Sequence, residues 1–176
     1  RCLRSWLEWE GCHELVLVDW SSRLPVEKFL NKKKFLNKKI KLIRVEGEEY
    51  FSRSKSFNLS VRNCTYNNII KIDIDYVLTN KKILEAYLKN ASQPKCFTHA
   101  EGVKHFTGFC SFDIADFEKV GGYNEDLQDW GYEDRDLYSR LAREGLSELV
   151  IKKPQRFLHH IPHSAAKSVQ NHKNKN

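Results

Sequence analysis

The segment Ile69-Ile-Lys-Ile-Asp-Ile-Asp75 limits the choice of fold more than any other in the chain. Its apolar alternation is that of a strand set against a core, and it runs straight into two carboxylates at i and i+2. On a strand, that spacing aims both side chains to one side. Two like charges gathered at the end of a buried strand are costly unless a cation or ligand compensates them. Glu14-Leu-Val-Leu-Val-Asp-Trp-Ser-Ser22 has the same character, a short apolar run ending in Asp19 and a serine pair. Such runs are expected to be fully buried parallel strands, and the loop at their carboxyl end is where α/β sheets receive ligands. Asp19 suits a base or ribose edge there, with capping of the following turn as the plainer reading.

A third stretch, from Gly121-Gly-Tyr123 through Trp130-Gly-Tyr-Glu-Asp-Arg-Asp136 to Leu141, opens with a turn, crosses a Trp-Gly step and enters a helix. Leu137 and Leu141 lie four apart and mark its buried side, and Gly145 is placed to stop it. Glu133, Asp134 and Asp136 fall in the first turn, where carboxylates complement the helix dipole. The aromatic step before them adds a second meaning. A flat ring stacks on a sugar face, and carboxylates accept from sugar hydroxyls.

The remaining elements fit an alternating α/β chain. Leu3, Trp6 and Leu7 begin a helix, Ile40–Val45 is a strand, and Lys81–Lys89 is a helix. Gly108 is read as a point of close backbone approach to a ligand, and Lys119 and Tyr123 as surface and packing residues. A chain of 176 residues is one domain with a real core. It has no methionine and opens on a helix rather than a strand. The expectation is a domain over residues 1–165 that lacks its first strand, followed by a basic polar tail over 166–176.

The formal charge of +7 would suit an anionic partner, but much of the excess sits in Lys28–Lys41 and the last dozen residues. Nucleic acid is therefore not expected as a partner. Lys28–Lys33 is repeated directly as Lys34–Lys39; it reads as a solvated helix face, with contact to an anionic membrane surface as the sharper alternative. No apolar run reaches the length of about 18 residues that a membrane span needs. Five scattered cysteines show no C-x-x-C pair, which points away from structural zinc and toward a cytoplasmic, reducing home, with a secretory-pathway lumen as the alternative.

Taken together, Asp73-Ile-Asp75, Phe106-Thr-Gly-Phe-Cys-Ser111, Gly121-Gly-Tyr-Asn-Glu125 and Trp130-Gly-Tyr-Glu-Asp134 resemble the motifs of GT-A glycosyltransferases, in family order. The β-1,4-galactosyltransferases and the chondroitin-polymerase type of family-2 enzyme are the nearest in pattern. The resemblance runs from about Glu14 to Ser164. It implies a GT-A fold, a Rossmann-like, mostly parallel sheet in an α/β/α sandwich. It also implies an inverting transfer of sugar from a nucleotide-sugar donor, UDP-linked, to a hydroxyl of a glycan or other acceptor.

By the same resemblance Asp134 is the catalytic base, and Trp130 and Glu133 bind the acceptor. Phe51, Arg53, Lys55 and Asn58 match a segment lying against the donor nucleotide, and Asp73 faces the ribose. Asp19 matches a strand end of the family-2 enzymes. Asp75 binds the divalent metal, manganese with magnesium as the alternative. His163 and His160, in Arg156-Phe-Leu-His-His-Ile-Pro-His-Ser164, fall on the positions of a manganese-binding histidine and methionine. Two other classes stay open: a catalytically degenerate GT-A module that binds sugar or scaffolds a larger enzyme, and a nucleotidyltransferase. The latter shares the D-x-D logic but has no use for Trp-Gly-x-Glu-Asp.

Overall fold

The computed structural model describes residues 1–32, 39–91, 95–102, 105–127 and 132–162. Helix α1 (Cys2–Leu7) leads to β1 (Leu15–Trp20), which pairs in parallel with β2 (Ile40–Val45) across α2 (Val26–Lys32). Next come α3 (Arg53–Arg62), β3 (Asn68–Lys71), β4 (Tyr76–Leu78) and α4 (Lys81–Ala91). Then follow β5 (Cys96–Ala100), β6 (Cys110–Asp113), α5 (Ile114–Lys119), α6 (Glu133–Arg143), β7 (Ser147–Ile151) and β8 (Leu158–His160).

The strands form a four-stranded sheet in the order β3-β6-β5-β7 and two pairs, β1-β2 and β4-β8. Pairing is mixed rather than mostly parallel. β1-β2 and β5-β7 are parallel, whereas β3-β6, β5-β6 and β4-β8 are antiparallel. The reason is connection length: the link between β5 and β6 is too short for a crossover helix, so the chain can only turn back. β1 is less enclosed than its apolar run predicts, since Leu15–Val18 are only partly buried.

Alternation along the strands builds a core on each face of the four-stranded sheet. Ile69, Phe97, Cys110 and Phe112 pack with Val61 of α3, Phe117 of α5, and Leu137 and Leu141 of α6. Ala100, Phe109 and Ile151 pack on the other side with Trp6 of α1 and Leu84 of α4. Helices therefore cover both faces.

Helix α6 ends as its sequence indicates. Gly145 adopts φ +86, its N–H returns to the Ala142 carbonyl, and the Leu146 N–H reaches that of Leu141. This double return satisfies carbonyls that the last turn would otherwise orphan. The repeated lysine segment enters α2 at Val26–Lys32, and residues 33–38 lie outside the described residues. Among the described residues no helix is long and apolar enough to cross a membrane.

Candidate active site

The site forms where the first turn of α6 meets the end of β3 and the start of α3. Tyr132 precedes α6 in a left-handed conformation, φ 71. Of the three carboxylates that follow, Asp136 behaves as a surface residue, bonded to Arg140 one turn on at 2.5 and 3.0 Å. Glu133 and Asp134 turn inward. Glu133 is 4% exposed, and its Oε1 accepts from Arg53 Nη1 at 3.0 Å across 80 residues of sequence. Its Oε2 is buried and takes no hydrogen bond among the described residues.

Asp134 is held by two donors. Lys71 Nζ lies 3.0 Å from Oδ1 and 3.2 Å from Oδ2, and the Tyr123 hydroxyl donates to Oδ1 at 3.0 Å. Lys71 is itself buried, stands 3.5 Å from Asp73 Oδ1 and sits 4.3 Å from the centre of the Phe57 ring. Burial alone would drive the ammonium to shed its proton. Asp73 and Asp134 outweigh that, so Lys71 stays charged well above the ordinary lysine range. Asp134 is pushed above the usual carboxylate range by its burial, against the pull of Lys71 and with a further push from Asp73. Asp73 is lowered: burial raises it, but Lys71 and Arg53 together prevail.

The two aspartates of the D-x-D do not ride on a strand with a common direction. β3 ends at Lys71, and Asp73–Tyr76 is a turn closed by the Tyr76 N–H on the Asp73 carbonyl at 3.1 Å. The turn gives each carboxylate its own partner. Asp73 faces Lys71, whereas Asp75 Oδ2 lies 3.0 Å from His160 Nε2. β8 delivers His160 by pairing it with Tyr76, and the Ile161 N–H bonds the Asp75 carbonyl at 2.9 Å. His105 stacks on His160, ring centres 4.7 Å apart. Gly108 is the point of close approach, though what approaches is Asp73. A Cβ on Gly108 would stand 2.8 Å from the Asp73 Cγ and overlap its carboxylate.

Asp75 and His160 offer one carboxylate and one imidazole, a donor pair that fits manganese better than magnesium. Among the described residues no group of three or more His, Cys, Asp and Glu is placed to hold a metal ion. His163 lies outside the described residues, as does Trp130.

The other expected contacts separate into two groups. Phe51, Arg53 and Lys55 stand at the entry to α3, with Lys55 exposed and its N–H capped by Ser52 Oγ at 3.3 Å. Asn58 and Asp19 are instead taken up by the fold. The Asn58 amide donates to the Tyr123 carbonyl and Glu125 and accepts from the Tyr123 N–H at 2.8 Å. It thereby pins the Gly122–Tyr123 turn, where Gly122 has φ 70. Asp19, 2% exposed, accepts from the Ser22 N–H and hydroxyl, the Val26 N–H and Arg44 Nη1. It caps α2, and these bonds hold it below the usual carboxylate range against the effect of burial.

Sequence reasoning missed Lys71, Tyr123 and His105. For Lys71 the signal was there, a lone cation on the Ile69 face of an otherwise apolar strand, two residues before an aspartate. Tyr123 is a packing residue as expected, 1% exposed, but its hydroxyl also reaches Asp134. His105 carries no sequence signal of its own.

Comparison with known proteins bears on both fold and chemistry. A family model described as the N-terminal domain of galactosyltransferase matches residues 89–164. Over 120 residues the chain is 28% identical to β-1,4-galactosyltransferase 1 of Bos taurus, an overlap covering 61% of this chain and 29% of that protein. In three dimensions the chain resembles GalNAc-T7, solved with UDP, GalNAc and Mn2+, with a TM-score of 0.74 and 13% identity. That match covers 93% of this chain and 41% of the other. The chain has the GT-A fold and is related to the β-1,4-galactosyltransferases. A mannosyltransferase from Pyrobaculum calidifontis, solved with GDP-Man and Mn2+, shares the fold with a TM-score of 0.69 and 17% identity. It is covered over 49% of its length by 85% of this chain.

This GT-A domain is thus homologous to nucleotide-sugar-dependent glycosyltransferases, and it spans less than a third of the curated galactosyltransferase that it matches. The relationship overturns the cytoplasmic expectation. β-1,4-galactosyltransferases are secretory-pathway enzymes whose catalytic domains are lumenal. The inference from cysteines fails for a physical reason. All five are free thiols, and Cys12, Cys96 and Cys110 are buried as small apolar side chains, so they report packing rather than compartment.

Proposed function

We propose that this GT-A domain is the nucleotide-sugar module of a larger sugar-transfer protein, with Asp134 as its acceptor-side base. The supporting observation is the Lys71–Asp134 contact, which ties the first turn of α6 to the D-x-D turn. In this reading that contact sets the donor and acceptor ends of a transfer reaction side by side. In this reading the acceptor hydroxyl oxygen attacks the anomeric carbon of the donor and passes its proton to Asp134. The bond from that carbon to the diphosphate oxygen breaks on the opposite face, which inverts the configuration through an oxocarbenium-like state. In this reading Arg53 and Asp73 would meet the diphosphate and ribose, and the Glu133 oxygen that takes no hydrogen bond among the described residues would turn to an acceptor hydroxyl. A divalent cation at Asp75 and His160, with manganese preferred, would offset the diphosphate charge.

The donor is proposed to be UDP-linked and the acceptor a glycan or other hydroxyl compound. A second reading is favoured by coverage. The chain accounts for 29% of its matched galactosyltransferase, 41% of GalNAc-T7, 49% of the mannosyltransferase and 71–76% of solved Drosophila β1,4-galactosyltransferase 7 chains, and a sugar-binding or scaffold module of a larger enzyme is in keeping with that partial coverage. One experiment separates the readings. The protein is offered a panel of nucleotide-sugars with manganese, and nucleotide binding and nucleotide release are both measured. Binding with acceptor-dependent release supports transfer, binding without release supports the module, and no binding of any nucleotide defeats both.

A further inference from the structure

We propose that Lys71 is a positioning residue for the acceptor-side carboxylate, anchoring Asp134 to the donor-side Asp73 through both of its oxygens, while the Tyr123 hydroxyl on Oδ1 leaves Oδ2 for a proton. The inference rests on the reading of Asp134 as the base. The geometry carries it. Oδ1 of Asp134 receives both Lys71 at 3.0 Å and Tyr123 at 3.0 Å, while Oδ2 receives Lys71 alone at 3.2 Å. Oδ2 keeps the open lone pair and is the oxygen that would accept the hydroxyl proton. Lys71 is fixed in turn. Its backbone is paired in β3 with Cys110, its ammonium sits over Phe57, and its side chain is 7% exposed.

A carboxylate so enclosed needs a cation close by to remain a base. Desolvation favours its protonated form, which has no proton-accepting power left. The groups facing Asp134 are Lys71 from β3, Asp73 from the D-x-D turn, Glu133 and Tyr138 from α6, Tyr123 from the preceding loop, and Cys110 from β6. Burial lifts the Cys110 thiol to about 12 and holds both tyrosines well above their ordinary range. These three stay neutral at physiological pH. Asp73 and Glu133 add negative charge, which leaves Lys71 as the counterweight in contact.

The test is a carboxyl carbon NMR titration of Asp134, its signal assigned by its loss in Asp134→Asn, in the wild type, Lys71→Met and Lys71→Arg. The expected result is an Asp134 midpoint raised by about one pH unit or more in Lys71→Met and largely restored in Lys71→Arg. Where transfer is measurable, the acid limb of kcat/KM should move by the same amount. If Lys71→Met does not fold, Lys71→Gln serves the same comparison. A midpoint that stays in place while stability falls would mean Lys71 only packs, and the proposal is overturned. A midpoint that moves in a protein that transfers no sugar upholds the positioning role and removes the catalytic reading instead.

Discussion

Asp75 and His160 meet at 3.0 Å although 85 residues separate them, joined by the antiparallel pairing of β4 with β8. The contact brings a carboxylate and an imidazole to one point beside the D-x-D turn. His160→Ala should therefore lower UDP affinity in the presence of manganese by about tenfold or more, on the scale of losing one metal-site partner. Affinity without metal should be unchanged. Calorimetry in both conditions checks this, and an equal loss in both would remove His160 from metal binding.

Asp134→Asn preserves shape and removes the proton acceptor. Turnover should drop about 10²-fold or more, with UDP affinity nearly unchanged. Wild-type turnover in this variant would reduce Asp134 to an N-terminal helix charge.

The Arg53–Glu133 pair should report on stability. Arg53→Ala leaves a buried carboxylate without its cation. The expected cost is about 2 kcal/mol, below the range for a fully buried pair because Arg53 is 32% exposed. Adding Glu133→Gln in the same chain should recover part of that loss. Urea unfolding of the single and double variants measures both, and an additive second loss would contradict the pairing.

Asp19 sets an acid sensitivity. Its folded pKa is depressed, so its contribution is complete above the unfolded value of about 3.9 and is lost as pH falls through the folded value. Asp19→Asn should cost about 1–2 kcal/mol near neutrality, the scale of a lost cap, and should flatten the acid limb of stability below pH 4. Thermal melts from pH 2 to 7 decide it. An acid limb unchanged in the variant would show that other carboxylates set that limb.

Much of this arrangement was legible in the residues. β1, β2, the helical period of α6 and its glycine stop follow from local pattern. So does the placing of Asp73 and Asp75 just past a strand and of Glu133 and Asp134 in the first turn of a helix. What local pattern could not give was orientation after the strand ended. The i, i+2 rule holds on a strand, but Lys71 closes β3 and the turn that follows hands Asp73 and Asp75 to different partners. Nor could it tell that Asn58 and Asp19 are used up inside the fold, because an amide or carboxylate that pins a turn has the same sequence appearance as one that meets a nucleotide. The antiparallel pairs were missed because strand direction is a property of connections, not of the strands.

The late delivery of His160 by β8 has a consequence for how the protein is made. A ribosome releases the D-x-D turn long before the histidine that faces it, and through that interval Asp75 is synthesised without its partner. The nascent chain cannot close the Asp75–His160 contact until the three-residue strand Leu158–His160 has emerged and found Tyr76–Leu78. Formation of the Asp75–His160 contact is therefore timed by the synthesis of β8, some 85 residues after the carboxylate that it meets.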